Sequence, residues 1–391
     1  MENKSLRRRI SALMYIASCA VNGIAPKDVG LLNPEGICAM AAEHTIGALV
    51  CHGLELSGAA PQKAVADKHL AIRKTMLFDN ARAEILAAFE KANIEYMVLK
   101  GVIMKDLYPS IGLRQMSDND ILVDPKHRRS VRKIMEGLGY RTDSYGKRHH
   151  DVYIKDPVYN FEIHISLFSI MKEGLHEYFR DALDRAESID GTLEKRMTDE
   201  DFYIYLKAHE YNHYVNGGVG LRALIDTYVF LLAKSDKISK RYIDLECEQI
   251  GISEYEIMTR DLADKLLRAD RADMLREFAL TGEGDVFTEG EWESLEFFAT
   301  SGTYGKISNA VESAMKKYEN EKSSAMSVKI KYLVRRVIPP MDYYAENAPL
   351  AYKYKILIPF YCIGRLAVAI VRQPKRIFAQ IKSVFAYKKD R

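Results

Sequence analysis

Two aspartates in the stretch "SDNDILV" have the spacing of a metal-binding pair. Asp118 and Asp120 flank Asn119, and the apolar residues that follow predict a strand. Alternate side chains of a strand share a face, so the two carboxylates would lie about 7 Å apart along it. Two like charges so placed are unfavourable unless a cation neutralises them. Oxygen ligands of this kind suit Mg²⁺ (or Mn²⁺) bound to a substrate phosphate, so the pair predicts a divalent-metal site.

A third carboxylate lies in the later stretch "YNFEIHISL". Alternation predicts a strand with Glu162 and His164 on one face and apolar side chains on the other. A carboxylate in the middle of an apolar strand requires a partner. A neighbouring strand that carries Asp118 and Asp120 with their metal would supply it, so Glu162 is the predicted third metal ligand.

The turn before the aspartates has the residues of a phosphate-binding site. Gly101 lies where a predicted strand over 96–99 turns into a short helix, and its missing side chain lets a phosphate approach the backbone N–H groups. Lys100 and Arg114 would add positive charge there. Each part alone is also typical of ordinary structure, because D-x-D can be a solvated strand end and a glycine can simply form a turn. The order and spacing of all the parts together favour chemistry.

A second motif, His209-Glu210-x-x-His213, matches the signature of zinc proteases. Such a site needs a third ligand downstream of the second histidine. The chain has neither the Gly-x-x-His continuation nor a glutamate before Glu246. Histidines on a helix with apolar neighbours are more often hydrogen-bonded structure than metal ligands, so we do not expect zinc proteolysis.

Four polar residues are predicted to line the substrate side of the cleft. They are His164 on the later strand and, in the helical region that follows, His213, Arg222 and Asp226. A purely structural role fits the last three equally well.

The elements that would position these residues form a compact α/β unit. Between about residues 94 and 168 the order is strand, helix, strand, helix, strand, strand. Asp124-Pro125 predicts the start of the second helix, and Asp156-Pro157 predicts the turn between the last two strands. Three- and four-residue apolar spacing predicts helices before and after this unit. The predicted regions are helical 1–90, catalytic core 91–195, helical 196–320 and a basic tail 321–391.

Composition fits an ordinary globular protein. Hydrophobic residues make up 48% and charged residues 28% of the 391 residues, which excludes wholesale disorder. The net charge of +3 is too small to indicate a nucleic-acid partner. Five cysteines, an odd number without a C-x-x-C pair, favour the cytoplasm over a disulfide-rich compartment.

The N-terminal stretch admits two interpretations. Residues 16–19, Ile-Ala-Ser-Cys, resemble a lipoprotein cleavage site. The apolar residues from Ile10 to Val21 also recur at helical spacing after a basic start, which is typical of an amphipathic helix. We favour the helix.

The stretch "VLKGVIMKDLYPSIGLRQMSDNDILV", followed by "FEIHISLF", resembles the polymerase-β-like nucleotidyltransferase superfamily. More narrowly, the Lys-Gly strand end, the R-x-x-x-D-x-D segment, the E-x-H strand and the downstream "LRALID" resemble a poorly characterised family of bacterial nucleotidyltransferases. The resemblance covers about residues 35–300. Lys100-Gly101 stands where the superfamily usually has Gly-Ser, and Asn119 stands where an apolar residue is more usual.

The resemblance implies an α/β (α+β) nucleotidyltransferase core with a small mixed sheet, flanked by helical regions. Asp118 and Asp120 would be the metal pair, Glu162 the third carboxylate and Gly101 the nucleotide-loop glycine. The enzyme would move a nucleoside monophosphate from a triphosphate, most simply ATP, to a hydroxyl group of a small molecule, glycan or protein. Asp120 or Glu162 would act as general base.

The alternative is a binding or regulatory protein that keeps the nucleotidyltransferase fold without catalysis. The intact set of three carboxylates argues against it, since a protein without the activity has no need of three clustered charges.

The C-terminal region is locally basic. From Lys353 to Arg391 there are ten Lys or Arg residues and one Asp, with aliphatic and aromatic residues between them. This is typical of an amphipathic helix at an anionic membrane surface, and also of a helix packed on its own protein with a solvated basic face. Pro359 and Arg365 interrupt the longest apolar run, which falls short of the roughly 20 apolar residues of a membrane span. Peripheral contact with the inner face of a membrane is therefore an alternative to a purely cytoplasmic location.

Overall fold

The computed structural model describes residues 2–303, 305–319 and 323–387. It contains a five-stranded mixed sheet with helices before and after it in the chain, which confirms the predicted α/β class. The strands are β1 (Tyr96–Val98), β2 (Asn119–Val123), β3 (Arg141–Ser144), β4 (His150–Lys155) and β5 (Tyr159–His164), and a separate small sheet pairs β6 (Glu187–Ser188) with β7 (Lys195–Arg196).

The strand order β1-β2-β5-β4-β3 places β2 beside β5. These two strands are parallel, whereas the other neighbours are antiparallel. Their register puts Asp120 opposite Glu162 and Leu122 opposite His164. Because paired positions share a face, the carboxylates of Asp120 and Glu162 lie on the same side of the sheet.

One face of the sheet packs against two helices, α4 (Gln62–Lys91) and α6 (Arg128–Gly137). The apolar residues of β2 and β5 alternate into this core, as their period of two predicts. The core includes Ile121, Val123, Phe161 and Ile163 from the sheet and Ile85, Phe89, Val131 and Met135 from the helices.

Asn119 lies on this same face, where an apolar residue is more usual. Its side chain is fully buried, and its Oδ1 accepts a hydrogen bond of 2.9 Å from Nη1 of Arg82 on α4. Arg82 also pairs with Asp79 at 2.6 Å. This buried polar residue is therefore accommodated by a polar contact with α4, on the face away from the carboxylates.

The helices before and after the α/β unit share a core with each other. The first three are α1 (Glu2–Asn22), α2 (Pro34–Glu43) and α3 (Gly47–Glu55). The later ones are α9 (Asp199–Tyr214), α10 (Arg222–Lys234), α11 (Lys240–Gln249), α12 (Ser253–Leu267), α13 (Ala272–Thr281) and α14 (Glu289–Ser301). Short helices α5 (Gly101–Met104), α7 (Glu173–Tyr178) and α8 (Ala182–Arg185) lie within the α/β region.

The N-terminal stretch forms a helix, as predicted, but residues 10–21 are buried on all of its sides, so the helix is a core helix and not an amphipathic one. Cys19 on α1 is 1% exposed, and Ser18 Oγ donates a hydrogen bond of 2.9 Å to the carbonyl of Leu267 at the end of α12. Side-chain caps fix the starts of later helices, as where Thr198 Oγ1 accepts from the Asp201 N–H at 3.1 Å.

The remaining helices form a C-terminal group. They are α15 (Ile307–Lys316), α16 (Ala325–Val337), α17 (Met341–Asn347), α18 (Pro349–Lys353), α19 (Ile358–Arg372) and α20 (Pro374–Ala386). Within the described ranges, no single helix has the length and apolarity needed to cross a membrane. One pair, Lys355–Arg372 and Pro374–Ala386, meets that test jointly but is bent by 106°.

Candidate active site

Three acidic side chains gather where β2 and β5 run side by side. Asp120 lies on β2, Glu162 on β5, and Asp118 directly before β2, two residues from Asp120. Among the described residues, the ligand atoms of Asp120, Glu162 and His164 lie within 4.8 Å of one another. The parallel register therefore brings together residues that are far apart in the chain.

Asp120 is held by two donors. Lys100 Nζ lies 2.9 Å and His164 Nε2 lies 2.8 Å from its Oδ1, and the residue is 4% exposed. Burial by itself would raise the pKa of Asp120, but the charge of Lys100 and the hydrogen bond from His164 hold that pKa below its ordinary value. Asp120 is therefore ionised at neutral pH.

Glu162 has a different environment although it lies opposite Asp120. Its Oε2 is 3.7 Å from His150 Nε2 and 3.8 Å from His164 Nε2, which is too far for strong hydrogen bonds. Burial, and then the charges of Asp120 and Asp118, raise the pKa of Glu162 to about 7. Two neighbouring carboxylates with opposite pKa shifts are the usual arrangement of an acid–base pair.

Asp118 is half-buried and belongs to the same electrostatic group. Burial, and then the charge of Asp120, raise the pKa of Asp118, while the charges of Lys100 and Arg222 oppose that rise. Among the described residues, the group whose ligand atoms lie within 4.8 Å of one another contains Asp120, Glu162 and His164 but not Asp118, so Asp118 adds negative charge beside that group.

The turn at Lys100 and Gly101 directs Lys100 toward the carboxylates. Lys100 has a φ of 46°, a conformation that is strained for a side chain other than glycine. A Cβ on Gly101 would lie 2.6 Å from Arg114 Nη1 and 2.9 Å from Met116 Sδ. Glycine is therefore required because the loop before β2 passes directly over the start of α5.

Arg114 and Asp226 form an ion pair in the protein interior. Arg114 Nε and Nη2 donate to the two carboxylate oxygens of Asp226 at 2.9 and 2.8 Å, and Tyr108 Oη donates to Asp226 at 2.7 Å. Arg114 is 7% and Asp226 is 3% exposed. The pair fastens the loop before β2 to α10, so in this arrangement both residues position the loop.

Arg222 joins the same loop to the N-terminal helices. Its Nη1 donates to Thr45 Oγ1 at 2.6 Å and to the carbonyl of Gln115 at 3.3 Å. Its positive charge also acts on Asp118. Arg222 therefore lies at the edge of the carboxylate group.

Two histidines in the site, His149 and His150, are absent from the sequence-based set. Together with His164 they place ligand nitrogens within 4.8 Å of one another. Burial, and then the neighbouring His164, lower the pKa of His150 to about 3, so His150 is neutral. The sequence feature that could have indicated them is the run "KRHH", which ends at the first residue of β4. Its position beside Glu162 depends on the pairing of β4 with β5.

The zinc-protease match on α9 has a structural explanation. His209 Nε2 and His213 Nε2 lie 3.3 Å apart, and burial lowers the pKa of His213 to about 4. Glu210, which would be the general base of a protease, accepts from Lys207 Nζ at 2.8 Å in a buried ion pair. The charge of Lys100 acts on both histidines, which places them on the side of α9 toward the carboxylates.

A cavity of about 150 Å³ lies between α4 and the loop before β2. Its lining includes Lys74, Thr75, Phe78 and Ser117, the last adjacent in sequence to Asp118. Lys74 Nζ lies 4.9 Å from the Phe78 ring centroid. Burial lowers the pKa of Lys74, and the charge of Asp118 opposes that fall. An ammonium with hydroxyl groups suits a small polar ligand beside the carboxylates.

The donor set fits a divalent cation. Asp120 and Glu162 supply oxygen ligands, which Mg²⁺ and Mn²⁺ prefer, and His164 supplies an imidazole nitrogen beside them. If His164 Nε2–H donates to Asp120, His164 Nδ1 carries a lone pair, and that buried atom has no hydrogen-bond partner among the described residues. The site thus has an unsatisfied acceptor as well as clustered charge.

Comparison with known proteins gives one match. A sequence model of a family described as "Uncharacterised nucleotidyltransferase" matches residues 32–268, which is more than half of the chain. The matched segment contains every residue of the carboxylate group and the helix that carries His209. No curated protein and no solved structure matches the chain.

Proposed function

The chain belongs to this family of uncharacterised nucleotidyltransferases, and we propose that it transfers a nucleoside monophosphate from a nucleoside triphosphate, most simply ATP, to a hydroxyl acceptor. The observation that carries the proposal is the pair Asp120 and Glu162. They lie opposite each other on parallel strands, and their pKa values are shifted in opposite directions.

In the proposed reaction the acceptor oxygen forms a bond to the α-phosphorus. The bond from that phosphorus to the oxygen bridging the β-phosphate breaks, and pyrophosphate leaves. The acceptor proton passes to Glu162, because Asp120 already accepts from Lys100 and His164, whereas no donor among the described residues lies within hydrogen-bond distance of Glu162 Oε2. Asp120 stays ionised throughout, held by Lys100 and His164.

Asp118, Asp120 and Glu162 would hold Mg²⁺ or Mn²⁺. When bound, the cation supplies charge neutralisation for the phosphates and lowers the pKa of the acceptor hydroxyl. His164 orients Asp120 through its hydrogen bond, as outer partners of metal ligands generally do. Lys100, which donates to Asp120, contributes positive charge beside the phosphates, whereas the space over Gly101 is filled by Arg114 and Met116.

The cavity beside Asp118 is the proposed place of the nucleoside. Thr75 and Ser117 bring hydroxyl groups to its lining, while Lys74 supplies a positive charge toward Asp118. This assignment, the polymerase-β-like ancestry, and a bacterial cytoplasmic setting are parts of the same proposal. Strand-borne carboxylates on one sheet face support the ancestry.

The test is incubation of the full chain with each α-labelled triphosphate in turn, Mg²⁺ or Mn²⁺, and a cell extract as acceptor source. We expect label to move onto an acceptor with one triphosphate preferred. Glu162→Gln should reduce transfer by about a hundredfold or more, because it removes the base. Asp143→Asn, an exposed carboxamide substitution on β3, is the matched control and should transfer label normally.

Transfer by Glu162→Gln at the wild-type rate would contradict the proposed role of that residue. Tight triphosphate binding without any transfer, under every metal and acceptor condition, would instead favour a binding protein that keeps the fold.

A further inference from the structure

The C-terminal helices expose an unusual amount of apolar surface. Twenty of the thirty-two exposed large hydrophobic side chains in the described chain lie between residues 323 and 387. They include Leu350, Ile356, Phe360, Val371, Phe378 and Phe385, each at least 70% exposed. Soluble surfaces rarely gather apolar residues so densely without a partner.

Three helices of this group present the apolar residues as stripes. On α16 the stripe contains Met326, Ile330, Leu333, Val334 and Val337, at steps of three and four. A stripe at this spacing covers one side of a helix, which is the pattern of a surface made to bury that side.

The last two helices repeat this pattern. Phe360, Ile363 and Val371 lie along α19, and Phe378, Ile381 and Phe385 lie along α20.

The exposed stripes are not part of a hydrophobic core that the C-terminal helices form among themselves. The opposite sides of the same helices already pack internally. Val328 on α16 and Val384 on α20 join Met315 in one small core, and Cys362 on α19 joins Tyr344 in another. The stripes therefore remain outside a region that has already folded.

The same region is strongly basic. Residues 323–387 contain eleven Lys or Arg and two Asp or Glu. Lys375, Arg376 and Lys382 on α20 are exposed beside its apolar stripe. A second copy of so basic a surface would be repelled. An anionic surface with an apolar interior would instead attract the basic side chains and bury the apolar stripes.

We propose that the C-terminal helices α16, α19 and α20 bind the surface of an anionic lipid bilayer. The apolar stripes enter the boundary between headgroups and acyl chains, and the basic side chains contact the headgroup phosphates. The 106° bend between α19 and α20 fits helices that lie in this boundary better than a straight span.

A contact with the candidate active site gives this surface a consequence for function. Glu346 on α17 accepts a hydrogen bond of 2.7 Å from Ser169 Oγ and lies 3.6 Å from His149 Nδ1. Ile170 and Met171, which follow Ser169 in the sequence, are also exposed, at 40% and 42%. The C-terminal helices that would bind the bilayer therefore contact the residues beside the carboxylate site through Glu346. This arrangement suits an acceptor presented at a membrane, an inference that rests on the proposed function.

The experiment is co-sedimentation of the full chain with vesicles, without nucleotide. We expect binding to vesicles of phosphatidylcholine with phosphatidylglycerol, weak binding to phosphatidylcholine alone, and release at high salt. The double variant Phe360→Ser with Phe378→Ser should lower the partition coefficient by about tenfold or more. Its matched control, Leu31→Ser with Leu70→Ser, changes two exposed apolar residues elsewhere and should bind like wild type.

The charge contribution has its own pair of variants. Lys375→Glu with Arg376→Glu should lower the partition coefficient on anionic vesicles by about tenfold or more. Lys237→Glu with Arg241→Glu reverses two exposed charges on the helical region and should have little effect. Glu162→Gln should bind vesicles like wild type, so failure of the membrane proposal and failure of the transfer proposal are distinguishable.

Equal recovery in the supernatant with and without anionic vesicles at low salt would overturn the proposal, as would equal binding to neutral and anionic vesicles. A dimer in sedimentation velocity that Phe360→Ser with Phe378→Ser converts to a monomer, without vesicle binding, would assign the surface to a second copy of the chain.

Discussion

Asp120 and Glu162 face each other across one pair of strands, and the difference between them comes from their neighbours. Lys100 and His164 donate to Asp120 at hydrogen-bond distance, whereas the imidazoles nearest to Glu162 stay beyond 3.5 Å. Those imidazoles are neutral where burial lowers their pKa, as for His150, so they add little positive charge. Glu162 therefore keeps an affinity for protons that Asp120 has lost.

This difference predicts a pH dependence of stability in the metal-free protein. Because folding raises the pKa of Glu162 from 4.5 to about 7, the folded chain holds a proton there that the unfolded chain releases above pH 4.5. The stability that this bound proton gives the folded chain is fully present below pH 4.5 and is lost as the pH rises toward 7. The glutamine of Glu162→Gln cannot ionise. At pH 8 with a chelator, the free energy of unfolding of this variant should therefore exceed that of wild type by on the order of 2 kcal/mol.

Urea unfolding at pH 5 and pH 8 measures this. The gain from Glu162→Gln should shrink at pH 5, and Glu293→Gln, an exposed control on α14, should show no such change. A gain that is equal at both pH values would contradict the assigned pKa shift.

Lys100 provides a second prediction at the same scale. Its ammonium is the principal neutralising charge on buried Asp120, so Lys100→Met should destabilise the metal-free protein by about 3 kcal/mol. A divalent cation at the carboxylates would replace the lost charge. Added Mn²⁺ should therefore raise the unfolding midpoint of Lys100→Met more than that of wild type.

Lys63→Met is the matched control, because Lys63 on α4 is 91% exposed at its side chain. If Mn²⁺ shifted Lys63→Met and Lys100→Met equally, the cation would be binding elsewhere.

At the scale of the elements, alternation in the sequence predicts β2 and β5 and the faces of their side chains. β3 was not predicted, because its sequence Arg-Thr-Asp-Ser is polar and the strand lies at the sheet edge with half-buried and exposed positions. The positions of His149 and His150 could not be predicted for a related reason. They depend on the β4–β5 register, a long-range property, whereas the spacing of Asp118 and Asp120 is local.

The cavity between α4 and the loop before β2 yields an element-scale prediction. Lys74 faces this cavity, while Arg73, the preceding residue of α4, is exposed on the helix surface. Lys74→Ala should raise the triphosphate KM by about tenfold with little change in kcat, because it removes a contact made in both ground and transition states.

Arg73→Ala should leave KM unchanged and serves as the control in the same steady-state assay. A kcat loss without a KM change in Lys74→Ala would move the nucleoside away from this cavity.

At the scale of the whole molecule, the N-terminal helices pack against helices from the later part of the chain. The sequence separates a helical start from a later helical region, yet α1 packs against α13 and both share one core. Only contacts between residues distant in sequence reveal this. The basic C-terminus is evident from composition, but the exposure of its apolar stripes requires the structure, since Val384 and Phe385 are adjacent apolar residues with opposite burial, 2% and 73% exposed.

The most direct test of the central claim is the fate of the α- and γ-phosphates of one triphosphate. Parallel reactions use the preferred triphosphate labelled at either position, with the acceptor identified from the extract. We expect α-label on the acceptor and γ-label in pyrophosphate, with both products reduced by about a hundredfold or more in Glu162→Gln. Appearance of γ-label on the acceptor, with α-label left in the nucleoside diphosphate, would contradict it.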